Sequence, residues 1–126
     1  MTESLPIWVL SIGGLLEPEE AARRLSMNSR EPLEEMVEGG RLICLTVEGE
    51  KRFPGFQFTG TGVLPGIAQC VAELRQADLG ARSQALWFAE GNRLLQGLSP
   101  AAWLGRGRDS SVVAEAARAA RHRLTG

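Results

Sequence analysis

Catalysis by side chains needs a proton carrier, a nucleophile or a set of metal ligands, and this sequence holds few of them. His122 is the sole histidine in 126 residues, so a Ser-His-Asp arrangement has only His122 to use, with Asp78 or Asp109 to orient it. A histidine near the end of a predicted final helix has a simpler role, favouring the negative end of the helix dipole. The two cysteines, Cys44 and Cys70, are too few for a four-ligand zinc site or a disulfide-rich scaffold. Both stand among apolar neighbours, where a thiol behaves as a small hydrophobe. Glu19-Glu20 and Glu34-Glu35 are adjacent pairs, and adjacent helical residues point in different directions, which suits solvated faces better than an acid/base pair. Gly60-Thr61-Gly62 begins like a dinucleotide loop, but Pro65 occupies the third glycine position and no strand–helix unit surrounds it. No Gly-Lys-Ser/Thr run offers a phosphate loop. These residues predict no catalytic site, no cofactor and no metal. Binding is the function left to test.

Arginine supplies the binding chemistry. Of 14 basic residues only Lys51 is a lysine, and the planar guanidinium favours carboxylate or phosphate recognition. A biased base composition in the coding gene would give the same enrichment. The net charge of −1 hides an asymmetry: residues 1–50 carry ten acidic and four basic side chains, residues 51–126 five acidic and ten basic. Such a division suggests a partner-facing surface or an internal electrostatic fit, not a uniform nucleic-acid coat.

The elements that must position these groups are legible from pattern. At 44% hydrophobic and 23% charged residues, the chain suits one compact globular domain, or two small ones sharing a core. The apolar run at residues 5–16 is broken by Pro6 and Ser11 and too short to span a membrane. No Lys or Arg precedes it, which argues against a signal peptide. A cytoplasmic protein with no membrane partner is expected. The start of that run reads equally as strand or helix, and Gly13-Gly14 ends it either way. Pro18 opens a helix to residue 25, with Glu19 and Glu20 at its positive end and Ala21, Ala22 and Leu25 on one side. After a short break, with Ser29 or Arg30 near the cap, a second helix carries Leu33, Met36 and Val37 and stops at Gly39-Gly40.

Two extended runs, residues 41–47 and 51–58, flank Glu48-Gly49-Glu50 and predict a β-hairpin, with Pro54 demoting the second run to an edge strand. Pro65 opens a helix to Ala77 with Ile67, Cys70, Val71 and Leu74 inward. Further helices are predicted at residues 81–90, at a short segment capped by Ser99-Pro100, and from Ser110 to Arg123 behind an Asp109 cap, with a flexible link at 105–108. The fold class is mainly α (α+β): a winged helix-turn-helix with a small β-hairpin (residues 1–58), then a C-terminal helical bundle (residues 59–126).

Residues 16–58 resemble the excisionase and MerR type of winged helix-turn-helix, through 19-EEAARRL-25 and Gly40-Arg41-Leu42 entering the hairpin. The run 52-RFPGFQF-58, followed by 62-GVLPG-66, looks like the linker of two-part bacterial proteins that join such a unit to an antitoxin domain. Trp87-Phe88, Asn92, Leu95, Gly97, Ser99-Pro100, Leu104, Asp109, Val112-Val113 and Ala116-Ala117 are similar to the toxin-binding domain of the Xre/MbcA/ParS antitoxins. The resemblance covers roughly residues 16–120. It implies a non-enzymatic protein that binds and neutralises a toxin encoded by an adjacent gene, often a toxin that consumes NAD. It also implies a toxin-contacting region in the final helix and tail, and binding to the protein's own promoter.

On the final helix, Val112, Val113, Ala116, Ala117 and Ala120 give a small-residue face, which suits packing within the fold, a helix-in-groove contact or a dimer. This short helix should dock onto Trp87, Phe88 and Trp103. Arg106, Arg108, Arg118, Arg121 and Arg123 are the candidate toxin contacts.

For promoter DNA, Arg23 and Arg24 are candidate phosphate contacts, Asn28 and Arg30 candidate base readers, and Lys51 and Arg52 the wing's cations. The presumed recognition helix, residues 30–39, opposes them with Glu31, Glu34, Glu35 and Glu38, where counterion release rewards positive charge. A DNA-binding regulator is therefore the alternative to a toxin-binding protein. A winged helix kept only as a protein-binding scaffold would also fit.

Overall fold

A computed structural model describes residues 7–60 and 62–125, with side chains from Val9 to His122 apart from residue 61. The first helix, α1 (Ile7–Ile12), resolves the strand-or-helix ambiguity; it buries Val9 and Ile12 and leaves Leu10 exposed. Residues 5 and 6 of the apolar run lie outside the described residues. β1 (Leu15–Leu16) follows, too short to leave a periodic signal. Helix α2 (Pro18–Arg24) starts on its proline, with Glu19 and Glu20 in the first turn and Arg23 and Arg24 in the last, so both ends suit the dipole. Helix α3 (Glu31–Glu38) begins after Arg30 as N-cap, buries Leu33 and ends at Gly39 with no basic residue in its last turn.

Strands β2 (Leu45–Val47) and β3 (Glu50–Pro54) form the hairpin, with Leu45 opposite Arg52 and Val47 opposite Glu50. Its two turn residues, Glu48 and Gly49, both take positive φ, 53° and 83°. That two-residue turn matches the right-handed twist of the flanking strands. The strand order is β1-β3-β2, so β3 is central and the edge-strand expectation from Pro54 fails. Pro54 is the last residue of the strand, opposite Leu15, and the next N–H, that of Gly55, donates to the Gly14 carbonyl at 2.8 Å. The ladder therefore continues past the proline without needing an N–H from it. Both predicted runs are also shorter than expected. Residues 55–57 turn into a 3₁₀ helix, and Ile43 bonds to the Gln57 side chain in place of a strand neighbour.

Helix α4 (Ile67–Gln76) starts two residues after Pro65 and buries Ile67, Cys70, Val71 and Leu74, the four positions read from spacing. Helix α5 (Ala81–Ala89), a 3₁₀ turn at Arg93–Leu95, α6 (Pro100–Gly105) and α7 (Ser110–Thr125) complete the chain. Side-chain caps define the last three of these starts. Asn92 Oδ1 accepts from Leu94 N–H at 2.9 Å, Ser99 Oγ from Ala102 N–H at 3.1 Å, and Asp109 Oδ1 from Ser111 N–H at 2.9 Å. The link at 105–108 is tied down: Trp103 Nε1 donates to the Asp109 carbonyl at 2.8 Å, and the Arg108 guanidinium lies 5.0 Å from the Trp103 ring centre.

The class is mainly α with a small antiparallel sheet, and the winged helix-turn-helix outline followed by helices is present as expected. One core gathers Val9, Ile12, Ile43, Leu45 and Val47 with Ile67, Leu74, Phe88, Trp103 and Val113. A second joins Ala21, Ala22, Leu33, Leu42, Phe53 and Phe58 beneath α2 and α3. Helix α7 lies chiefly along α4, flanked by α6 and the Arg93–Leu95 turn, so Trp87 and Phe88 are not its main dock. No helix among the described residues is long and apolar enough to cross a membrane.

Candidate functional site

The residues that could do proton or metal chemistry do not assemble. His122 is exposed on α7 and Asp78 in the turn after α4, and Asp109 is occupied as the cap of α7. Cys70 is fully buried on α4, where desolvation pushes its thiol up to about 12. Cys44 is half-buried, and burial raises its thiol as well, so neither is a ready nucleophile. Gly60 and Gly62 belong to a tight turn, in which Thr59 Oγ1 accepts from Gly62 N–H at 3.0 Å. Among the described residues no group of three His, Cys, Asp or Glu could hold a metal ion.

The winged face brings the six DNA candidates onto neighbouring elements, and five of them meet a carboxylate there. Arg30, at the start of α3, bonds Glu19 on α2, and its guanidinium holds the Glu19 carboxyl below its ordinary range. Arg23 bonds Glu20 and likewise lowers it, while Arg24 Nε stands 3.5 Å from the same carboxylate. Lys51 Nζ lies 3.7 Å from Glu34 on α3, and an Arg52 guanidinium nitrogen 3.9 Å from Glu17. Asn28 is exposed in a shallow depression it shares with Arg23, Met27 and Arg30. Glu31, Glu35 and Glu38 stay exposed along α3. The face offered to a duplex is acidic helix plus self-paired cations.

The C-terminal candidates divide. Arg118 and Arg121 on α7 reach Glu73 on α4, at 3.4 and 3.6 Å, with Glu73 only 18% exposed. Arg121 also bonds the Gln76 side-chain oxygen. These two arginines tie α7 to α4, with Arg118 still 42% exposed. Val113, Ala116, Ala117 and Ala120 are buried within the fold. Intramolecular packing therefore takes up this face except for the half-buried Val112, and leaves little of it to a dimer or a helix-in-groove contact. Arg106 and Arg108 are exposed between α6 and α7. Arg123 lies in α7, but its side chain is outside the described residues.

One feature of this region escaped pattern reading. Trp87, Glu90, Gly91, Asn92, Arg93 and Leu94 line an open cleft of about 730 Å³ at the end of α5. Leu94 is 57% exposed there and Trp87 half-buried. The signal was available: Leu94-Leu95 is a leucine pair inside one short turn, and the Asn92 cap directs Leu95 into the core while Leu94 faces out.

No family model matches this chain, and no curated protein matches it. Among solved structures, the NMR structure of Rv2175c matches with a TM-score of 0.74, covering 86% of this chain and 81% of that one. At 14% identity the likeness is one of fold: a chain of different sequence adopts the same arrangement over most of its length.

Proposed function

We propose that this chain is an antitoxin-like binding protein, without catalytic activity of its own, that neutralises a protein toxin through its C-terminal helices. The observation that carries the reading is the Trp87–Leu94 cleft. It presents an exposed leucine and a half-buried tryptophan at the end of α5, inside the segment that resembles the toxin-binding domain of the Xre/MbcA/ParS antitoxins. A tryptophan with an apolar neighbour, beside exposed charge, suits the apolar centre and polar rim of a protein interface. Glu90 and Arg93 supply that rim, and Arg106 and Arg108 are exposed cations of the same unit. The partner would be the product of the adjacent gene, with an NAD-consuming toxin the variety the resemblance favours.

Co-expression with the neighbouring gene's product is the test. A co-purifying complex and relief of growth arrest are expected. Leu94→Asp should weaken the complex while changing thermal unfolding little, because more than half of the side chain is already in water. A chain that neither captures the neighbouring product nor relieves arrest overturns the proposal.

A second reading, a transcriptional regulator acting through DNA, is favoured by the α2–α3–hairpin arrangement, which is that of a winged helix-turn-helix. Salt-dependent binding to its own promoter, lost on replacing Asn28, Arg30 and Arg52, would support it. Equal affinity for promoter and random duplex would end it.

A further inference from the structure

We infer that the winged face carries a built-in charge lock, in which Glu17, Glu19, Glu20 and Glu34 occupy the cations that would otherwise neutralise nucleic-acid phosphates. Three of these pairings join different elements: Glu19 on α2 with Arg30 before α3, Glu34 on α3 with Lys51 on β3, and Glu17 before α2 with Arg52 on β3. The last two are therefore set by the way the helix pair sits on the wing, and the first by the way the two helices meet, unlike the i,i+3 and i,i+4 pairs of Glu20 with Arg23 and Arg24. Glu17, Glu19, Arg30, Lys51 and Arg52 line one open cleft of about 400 Å³ between the start of α2 and the hairpin, together with Glu50.

The physical consequence concerns binding more than folding. Exposed ion pairs add little to stability, so this arrangement is not required to hold the domain together. Duplex affinity, in contrast, grows with the number of phosphates neutralised, because each releases condensed counterions. A guanidinium already beside a carboxylate gives no such gain: a phosphate must either displace that carboxylate or approach within its repulsion. The face is thus inhibited by its own side chains, and nucleic acid engages it only when the carboxylates are neutralised or drawn away. This inference concerns α2, α3 and the hairpin, and is independent of toxin binding at the C-terminal helices.

The test compares two triple variants of equal charge change in the full chain. E17Q/E19Q/E34Q releases Arg52, Arg30 and Lys51; E31Q/E35Q/E38Q removes three carboxylates of α3 that hold none of these cations. Binding to a fluorescein-labelled random-sequence duplex is followed by anisotropy across a salt series. The first variant should gain about tenfold in affinity at low salt, with a log–log salt slope steeper by roughly 2–3, and the second should gain clearly less. Equal gains would mean that bulk acidity, not pairing, sets the affinity, and no gain in either would mean that the face does not meet nucleic acid; each result overturns the lock. Should the triple variant fail to fold, Glu19→Gln and Glu34→Gln are compared singly with Glu31→Gln and Glu35→Gln under the same criterion.

Discussion

The side-chain amide of Gln57 is hydrogen-bonded to both backbone groups of Ile43: its Oε1 accepts the Ile43 N–H at 2.6 Å, and its Nε2 donates to the Ile43 carbonyl at 3.0 Å. Nε2 also donates to the Pro54 carbonyl at 3.2 Å, and the residue is fully buried. A glutamine amide has the same donor and acceptor as a peptide unit, so Gln57 stands in for a strand neighbour where β2 has not yet begun. It joins the chain leaving α3 to the turn that follows β3, beneath the winged face.

Gln57→Leu keeps the approximate volume but strands a buried N–H and two buried carbonyls. Each unsatisfied group carries its own desolvation penalty, so the variant should lose about 2–4 kcal/mol in urea unfolding. Gln57→Glu should be worse at neutral pH than in mild acid, because the ionised carboxylate cannot donate to the two carbonyls. A loss under half a kilocalorie for the leucine variant would show that the local backbone finds other partners.

Glu73 joins α4 to α7 through Arg118 and Arg121. Glu73→Ala should loosen the outer part of α7, costing about 1 kcal/mol after allowance for the partial exposure of both arginines. Hydrogen exchange checks it: amides late in α7 should exchange faster than in the parent protein, while those of α2 and α3 stay as they were. Unchanged exchange along α7 would mean that the buried Val113, Ala117 and Ala120 suffice to dock the helix.

Much of this architecture was legible in the sequence, for local reasons. Pro18, Gly39-Gly40, Ser99-Pro100 and Asp109 mark helix ends through chemistry that acts within a few residues, and Ile67, Cys70, Val71 and Leu74 betray their buried face by spacing alone. What stayed hidden depends on partners distant in the chain. Pro54 suggests an edge strand until β1, far upstream, is seen to pair on its other side. Arg118 and Arg121 look available until Glu73 comes within reach, and the winged face's cations look free until Glu17, Glu19 and Glu34 are placed beside them. The division of charge between the halves was the clue to this: the acidic first half supplies Glu34 to Lys51 and Glu17 to Arg52, the first basic residues of the second.

Acid should weaken the α2 surface by protonating carboxyls that the fold holds ionised. Arg30 lowers the Glu19 carboxyl and Arg23 lowers that of Glu20, both from a value of 4.5. A carboxyl depressed in the folded state contributes stability that is fully present above its unfolded value and lost as pH falls through its folded value. Thermal midpoints should therefore decline from pH 4.5 downward, and Glu19→Gln should decline less steeply over that range because it has no proton to take up. Parallel curves for parent and variant would show that the Glu19–Arg30 pair adds nothing measurable to stability.

Gly40 ends the α3 segment at φ +75°, and a Cβ built on it would collide with Arg75 Nη1. The same Arg75 nitrogen lies 3.4 Å from the Glu38 carbonyl, so one guanidinium from α4 covers the C-terminal end of α3 and needs the glycine's open side to reach it. Gly40→Ala therefore carries a main penalty, a left-handed backbone for a residue with a Cβ, and a smaller one, the displacement of the flexible Arg75 side chain, together about 1–2 kcal/mol. Arg75→Ala alone removes an exposed contact and should cost about 1 kcal/mol or less. In the double variant the collision has no partner, so only the backbone strain and the lost contact remain. The cycle should close with the double variant more stable than the sum of the singles by up to about 1 kcal/mol, measured as urea midpoints with unchanged slopes. Strict additivity would mean that Arg75 moves aside without cost and that α4 does not hold the end of α3.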